Sequence, residues 1–144
     1  SKSEAEDILL QGFYNIFSKI GQYERRGSFE GWMRRIMVNT AIDHYRKNKS
    51  YHENITISLD DVDESAFSEN HLPDRFTADK IMETLKELPK GYRVVFNLFA
   101  IEGYSHKEIA EMLGVSVNTT KTQLLKARKF LQKLLLEMDE NIND

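Results

Sequence analysis

The sequence of 144 residues has no cysteine, only two prolines and seven glycines. Without cysteine there is no disulfide framework, no thiol nucleophile and no thiolate zinc site. The scarcity of proline and glycine argues against a collagenous or flexible low-complexity chain. No apolar run approaches the roughly 20 residues that a membrane-spanning helix requires. The remaining composition, 40% hydrophobic and 30% charged, is ordinary for a globular protein, and we expect a cytoplasmic one.

The net charge of −3 is unevenly distributed along the sequence. Residues 25–49 carry seven bases and two acids, a net charge of +5, and residues 119–133 carry five bases and no acid. Between them, residues 50–79 carry one base and eight acids, a net charge of −7. Nucleic acid attracts the two basic segments and repels the acidic one. Solvated helix faces can also be basic, but two such segments in one acidic chain favour a nucleic-acid ligand.

Helical periodicity is the secondary-structure pattern of this sequence, and it predicts an all-α protein. Apolar residues at intervals of three and four predict helices near 3–20, 28–49, 77–88, 92–101, 105–113 and 117–138. Between Tyr51 and Phe76 this periodicity is lost, while acidic residues, serine and asparagine accumulate. We therefore predict two small helical domains, residues 1–49 and 77–144, joined by an acidic flexible linker over 50–76.

The first predicted helix is amphipathic. Ser3 and Glu6 have the spacing of a capping box at its start. The predicted buried stripe comprises Leu9, Phe13, Ile16, Phe17 and Ile20. The face away from this stripe carries Asp7, Leu10, Gln11 and Tyr14. Leu10 and Tyr14 are apolar enough for a partner contact, although scattered exposed apolar residues are also normal.

The second predicted helix is apolar on two sides, which is typical of a helix wedged between neighbours. At 100° per residue, one apolar line comprises Met33, Met37 and Ala41, and the other comprises Val38, Ile42 and Tyr45. The remaining line, which we expect to meet a ligand, comprises Trp32, Arg35 or Ile36, Asn39, Asp43, Arg46 and Lys47.

This third line combines an aromatic ring, an amide and bases at one end. Aromatic stacking beside a basic track is how proteins hold unpaired bases, at roughly 1–3 kcal/mol per stacked base. Alternatively Trp32, the only tryptophan, fills the hydrophobic core. The sequence leaves both interpretations of Trp32 open.

The C-terminal part of the sequence has the pattern of a helix-turn-helix. Ser105 and Glu108 form a second capping box, and Ser116 can cap the last helix. Between them, Ala110 allows close helix approach, and Gly114 can adopt the left-handed conformation of a tight turn. The predicted inward seam of the last helix comprises Val117, Thr120, Leu124, Ala127, Leu131 and Leu134.

The opposite face of the last helix combines short polar side chains with lysines. It comprises Asn118, Thr119, Thr122, Lys126, Lys129 and Lys133. Short polar side chains near the start of such a helix reach base edges in the major groove, while ammonium groups reach phosphates. Lys121 and Arg128 lie nearer the seam, where they contact DNA at the flank or only aid solubility. We predict a DNA-binding helix, the alternative being a helical hairpin with a solvated face.

No catalytic pattern accompanies these features. The histidines, at positions 44, 52, 71 and 106, lack metal-ligand spacing. The sequence has no glycine-rich phosphate loop, no G-x-S-x-G and no H-E-x-x-H. We therefore expect no enzyme, no metal site and no cofactor.

Four segments, in this order, match the motifs of one protein family. Glu4–Ile8 with Phe13 matches D-A-E-D-[LI]…F, and Phe29–Ile36 with Asn39, Ala41 and Asp43 matches F-x-x-W-L-x-R-I-x-x-N-x-x-x-D. Leu88-Pro89 with Tyr92–Phe96 matches L-P-x-x-x-R-x-V-x, and Gly103–Ala110 through Ala127-Arg128 matches G-[LY]-S-x-x-E-I-A…L-x-x-A-R. Together they resemble the extracytoplasmic-function (ECF) sigma factors, the promoter-recognition subunits of bacterial RNA polymerase.

This resemblance implies partners and roles for particular residues. Asp7 and its helix neighbours Leu10, Gln11 and Tyr14 would dock on the clamp helices of core RNA polymerase. Asn39, with Trp32 and the basic end of that helix, would capture opened bases of the −10 promoter element. The last helix would read the −35 element in duplex DNA through Thr119, Lys121, Thr122, Leu125 and Lys126. The linker would thread toward the RNA-exit path.

Three departures from the family pattern add expectations. Leu10-Gln11 stands where the family usually has Gln-Glu, which bears on docking to polymerase. Gln123 stands where arginine is common, and we expect it to lower the positive charge that faces the −35 element. Family members have one or two further helices before the position of Ser1, so we expect an N-terminally incomplete sequence with a less buried first helix.

Two functions follow from the sequence. The first is a transcription initiation factor that binds core RNA polymerase and promoter DNA, with an anti-sigma factor as a further partner that the resemblance allows. The alternative is a helix-turn-helix regulator that binds duplex DNA without polymerase, as a dimer on repeated half-sites.

Overall fold

The computed structural model describes residues 1–47 and 77–143. Its helices are α1 (Lys2–Lys19), α2 (Phe29–Lys47), α3 (Ala78–Leu85), α4 (Lys90–Phe96), α5 (His106–Leu113) and α6 (Val117–Asn143). All regular structure in these ranges is helical, so the all-α prediction is confirmed. The predicted linker, 50–76, lies outside the described residues. In the described ranges, no helix has the length and apolar character needed to cross a membrane.

The chain divides into two compact units, Ser1–Tyr51 and His52–Asp144. In the first unit, α1 packs on α2. Its N-cap is Ser1, whose hydroxyl accepts a hydrogen bond from the Glu4 N–H at 3.2 Å. The capping box predicted at Ser3 and Glu6 is therefore wrong. Ser1 and Glu4 have the same spacing and form the capping box two residues earlier in the chain.

The predicted buried stripe of α1 is correct only at Ile16. Leu9, Phe13, Phe17 and Ile20 are exposed, Phe17 by 71%. The face that meets α2 instead runs through buried Gly12 and Ile16, with Asn15 half-buried between them. Gly12 decides this orientation, because the absence of a side chain there leaves room for Met37 of α2.

Substituting Gly12 by alanine is expected to lower the free energy of unfolding of the first unit by about 1 kcal/mol, because overpacking costs about 1–3 kcal/mol and the higher helix propensity of alanine offsets about 1 kcal/mol of it. A Cβ at this position would collide with Sδ of Met37 and lie 3.1 Å from its Cε. Chemical denaturation followed by fluorescence checks this, since the only tryptophan, Trp32, lies in this unit.

Gly21→Ala is the matched control for this substitution. A Cβ there meets nothing within 4 Å, and we expect a change of less than about 0.5 kcal/mol. Equal stability of the two variants would show that the contact between Gly12 and Met37 does not constrain the packing of the helices.

In the second unit, α3, α4 and α5 pack around α6. Buried side chains from all four helices form its core, including Leu85, Val95, Ile109, Leu113, Leu124, Leu131 and Leu135. Burying each such side chain contributes about 1.5–3 kcal/mol. This core positions α6 by one side and leaves the other side of the helix in solvent.

Several boundaries in this unit differ from the predicted ones. Pro89 is the N-cap of α4, so that helix begins at Lys90 rather than at Tyr92. It continues into a π-helical turn over Asn97–Ile101, and α6 extends to Asn143. The inward seam of α6 excludes Val117, which is 37% exposed, and continues through Leu135 rather than Leu134.

Candidate nucleic-acid interfaces

The α5–α6 pair has the local geometry of a helix-turn-helix. The hydroxyl of Ser105 accepts a hydrogen bond from the Glu108 N–H at 3.1 Å and caps α5. Gly114 ends α5 with φ 67° and ψ 37°, and the Val115 N–H donates to the Ala110 carbonyl at 3.1 Å. Because a side chain disfavours this left-handed conformation, glycine allows the tight turn. The predicted Ser105 cap and glycine turn are confirmed. The capping box is formed only in its first half, because the Glu108 carboxylate accepts from the Ser105 hydroxyl, at 3.3 Å, and not from the Ser105 N–H.

The start of α6 is capped from within the turn. The hydroxyl of Ser116 accepts a hydrogen bond from the Thr119 N–H at 3.1 Å, as predicted. The two hydroxyls of Ser116 and Thr119 lie 2.8 Å apart and hydrogen-bond each other. The first turn of α6 has no acidic residue, so its free N–H groups and the helix dipole leave this end positive.

The predicted DNA-reading residues of α6 all retain solvent access. Asn118, Lys121 and Lys129 are exposed, while Thr119, Thr122, Leu125 and Lys126 are half-buried. Lys133 is exposed as well. Thr120, Leu124, Ala127 and Leu131 occupy the buried side. The helix therefore presents one face of short polar groups followed by lysines.

The expectation for Gln123 is wrong. Its side chain is 1% exposed and lies on the buried side of α6, between Thr120 and Leu124. At 100° per residue this position turns inward. A buried neutral side chain does not change the charge of the exposed face of α6, so glutamine at this position does not weaken that face.

Sequence reasoning missed a stack of side chains beside the helix-turn-helix. The imidazole of His106 stacks on the ring of Phe99 with centroids 4.5 Å apart, and the guanidinium of Arg128 lies 5.9 Å from the same ring centroid. The Thr120 hydroxyl donates to the Val117 carbonyl at 2.8 Å. It therefore accepts from Nδ1–H of His106, at 3.0 Å, which sets the tautomer of the neutral imidazole.

The charge of His106 is governed by the same surroundings. Burial lowers the pKa of His106 below its ordinary value, and the positive charges of Lys121 and Arg128 lower it further. The imidazole is therefore neutral at pH 7. The positive charge on this unit's surface near α6 therefore comes from its lysines and arginine. No spacing in the sequence indicated the stack, because Phe99, His106 and Arg128 belong to different elements.

In the first unit, α2 places the predicted ligand-facing residues on one accessible line. Arg35, Asn39, Asp43, Arg46 and Lys47 are exposed. Ile36 is half-buried, so Arg35 is the more accessible of the two alternatives at that place in the line. An amide, a carboxylate and three bases thus share one side of α2.

Trp32 fits neither of its two interpretations completely, because it is half-buried in a cluster of three aromatic rings. Its ring stacks on Phe29 with centroids 5.7 Å apart, and the Tyr23 ring lies 5.4 Å from it. Tyr23 donates to the Gly27 carbonyl at 2.8 Å, and Phe29 is 40% exposed. Sequence reasoning did not assign Tyr23 and Phe29 to this site. Their position on either side of Arg25 and Arg26 was a possible signal.

The α1 residues assigned to partner binding are all exposed. Asp7 and Gln11 lie on the solvent side with Leu10 and Tyr14, which are 70% and 68% exposed. Because Leu9, Phe13, Phe17 and Ile20 are exposed as well, α1 presents a large apolar surface, in line with the less buried first helix expected from the sequence. Contiguous apolar patches of this kind mark interaction sites on soluble proteins.

The fold and these surfaces define a helical DNA-binding protein with a helix-turn-helix. Residues 1–51 match the family Sigma-70 region 2, and residues 78–131 match Sigma-70, region 4. The ECF RNA polymerase sigma factor SigW of Bacillus subtilis (strain 168) is 30% identical over 94% of this chain and 77% of its own length. RNA polymerase sigma factor SigZ of the same organism is 31% identical, covering 93% of this chain and 74% of the relative.

A solved structure shows the same fold. It is the sigma factor RpoE in complex with the anti-sigma factor NepR from Bartonella quintana, with a TM-score of 0.54 and 22% identity. The likeness covers 92% of this chain and 81% of that one. The chain belongs to the family of ECF RNA polymerase sigma factors. It is a transcription initiation factor, and the resemblance drawn from its motifs is confirmed.

Proposed function

We propose that this chain binds core RNA polymerase and directs it to promoters by holding two separate DNA elements. The exposed face of α6 carries this proposal, since a capped helix after a glycine turn presents polar groups and lysines with no acid between residues 119 and 133. Residues 77–144 serve as the −35 module, residues 50–76 as the connection, and residues 1–49 as the polymerase-docking and −10 module.

At the −35 element, α6 enters the major groove with its N-terminal end toward the bases. Asn118, Thr119 and Thr122 are short enough to reach base edges, and Leu125 offers an apolar contact. Lys121, Lys126 and Lys129 reach phosphates, which supply affinity that depends on salt and not on sequence.

At the −10 element, the exposed line of α2 holds an opened DNA strand. Asn39 hydrogen-bonds a base edge, and the partly exposed Trp32 supplies a face for stacking. Arg35, Arg46 and Lys47 follow the phosphates. Asp43 lies among these basic side chains. Its carboxylate repels phosphate and accepts hydrogen bonds from the amino groups of nucleobases.

The exposed face of α1 docks on core RNA polymerase. Asp7 and Gln11 supply polar contacts, and Leu10 and Tyr14 supply apolar area. Leu10 provides no hydrogen bond of the kind that the glutamine common in the family could make, so docking here depends more on apolar burial.

We also propose that an anti-sigma factor can cover the DNA-binding surfaces, since a family member of the same fold is solved with one. The chain acts by binding alone, like the family to which it belongs, which is not one of enzymes. A cytoplasmic location follows, because its proposed partners are there.

The test is to mix the chain, and a version extended at its N-terminus, with core RNA polymerase and genomic DNA and to sequence the transcript starts. We expect starts at a recurring distance from a shared pair of −35 and −10 sequences. A chain that footprints a duplex by itself and has no affinity for core polymerase would instead be the polymerase-independent regulator.

A further inference from the structure

A line of hydrogen-bonded side chains crosses the interface between α1 and α2. Gln11 Nε2 donates to Asn15 Oδ1 at 3.0 Å, and Asn15 Nδ2 donates to Thr40 Oγ1 at 3.0 Å. Thr40 in turn donates to the Ile36 carbonyl at 2.8 Å. Thr40 is only 8% exposed, so this is a polar contact within the packed interface.

The direction of each bond in this line is determined. A threonine hydroxyl has one proton, and that of Thr40 goes to the Ile36 carbonyl, so its oxygen accepts from Asn15. Rotating the Asn15 amide by 180° would place its oxygen against another acceptor. The amide orientation is therefore set by Thr40, and it leaves Asn15 Oδ1 facing the donor of Gln11.

The ends of this line lie next to two surfaces with different proposed partners. Gln11 belongs to the face of α1 that docks on polymerase. Thr40 precedes Ala41 and follows Asn39, the proposed contact to an opened base. Gly12 selects the face of α1 that meets α2 and lets Met37 approach closely. A hydrogen bond is directional, so the bond between Asn15 and Thr40 restricts the rotation of α2 on that face.

We infer that Asn15 and Thr40 are positioning residues that align Asn39 with the polymerase-docking face of α1. This inference rests on the proposed function of both surfaces. The bond between the two side chains sets the rotation of α2 on α1, so a holoenzyme anchored through α1 presents Asn39 at the opened strand. Neither residue touches polymerase or DNA in this role.

The experiment uses the full chain in holoenzyme with Thr40→Val, which keeps the shape and removes the hydroxyl. At saturating sigma factor, opening of the −10 region, followed by 2-aminopurine fluorescence, is expected to slow about three- to tenfold. Affinity for core polymerase is expected to stay within about twofold, because no residue of the docking face of α1 is substituted and Gln11 is exposed, so water can replace its bond to Asn15. Thr40→Ser retains the hydroxyl and is expected to open promoters within about twofold of the original rate.

Two further variants separate positioning from a loss of stability. Ile16→Val removes one methylene from the same interface, where Ile16 is 5% exposed, and touches no hydrogen bond. It is expected to lower the melting temperature and leave opening unchanged. Combining Thr40→Val with Asn39→Ala is expected to be no slower than Asn39→Ala alone, because Thr40 acts through Asn39.

Each result supports or overturns the inference. Unchanged opening by Thr40→Val, additive losses with Asn39→Ala, or an equal loss in Ile16→Val would show that the bond only stabilises the helix pair. A silent Asn39→Ala would overturn strand capture itself and, with it, the positioning role. An effect of Asn39→Ala with none of Thr40→Val leaves the proposed function standing and overturns the positioning role alone.

Discussion

Asn39→Ala is expected to slow promoter opening by about tenfold or more, the scale of one lost base-edge contact. Binding of the holoenzyme to duplex DNA with only the −35 element is expected to stay within about twofold, because α6 is untouched. The physical reason is that an amide can hold an unpaired base only after the strands separate. Loss of the amide therefore raises the free energy of strand opening and leaves that of binding to the −35 element unchanged. Permanganate reactivity of −10 thymines against time measures the rate.

His44→Ala is the matched control on the same helix. His44 is exposed and lies about 140° round α2 from Asn39 at 100° per residue. We expect this variant to open promoters at the original rate. Equal losses of −35 binding and opening in Asn39→Ala would contradict a specific role in strand capture.

Alanine at both Lys126 and Lys129 is expected to weaken binding to every promoter duplex alike. The slope of log affinity against log salt is expected to flatten by about 1.8, since each lost phosphate contact on B-DNA contributes about 0.9. Lys126→Ala alone accounts for half of this change. Titration of holoenzyme onto labelled −35 duplex at several salt concentrations gives the slope.

Lys86→Ala controls for the loss of a positive charge. Lys86 is exposed in the same unit but lies outside α6. We expect it to leave the slope unchanged. If the slope is also unchanged in Lys126→Ala, Lys126 contacts no phosphate, and the lysine face of α6 serves only as a solvated surface.

Features that depend on nearby residues could be predicted well. The caps at Ser105 and Ser116 and the left-handed Gly114 are satisfied within four or five residues of the chain. A pattern of such short range is visible in the sequence, and so is the accessible line of α2. The helix-turn-helix and the all-α class rest on these local signals.

Features that depend on residues distant in the sequence could not be predicted. The apolar residues of α1 lie on more than one side of the helix, and their spacing alone does not say which side meets α2. The inward position of Gln123 and the stack of His106 on Phe99 likewise require partners from other elements. The hydrogen bond between Asn15 and Thr40 joins residues 25 positions apart, and no sequence spacing indicates it.

The sequence by itself determined the family, the helical class and the charged faces of the two helices proposed to contact DNA, because motifs, caps and helical periodicity are encoded within a few turns of chain. Only the tertiary structure decided which side of α1 is buried. There Gly12 admits Met37, whereas Leu9, Phe13, Phe17 and Ile20, which periodicity assigned to the core, are exposed in the described part of the chain. Close packing selects among faces that are equally apolar in sequence, and that choice depends on the shape of the neighbouring helix.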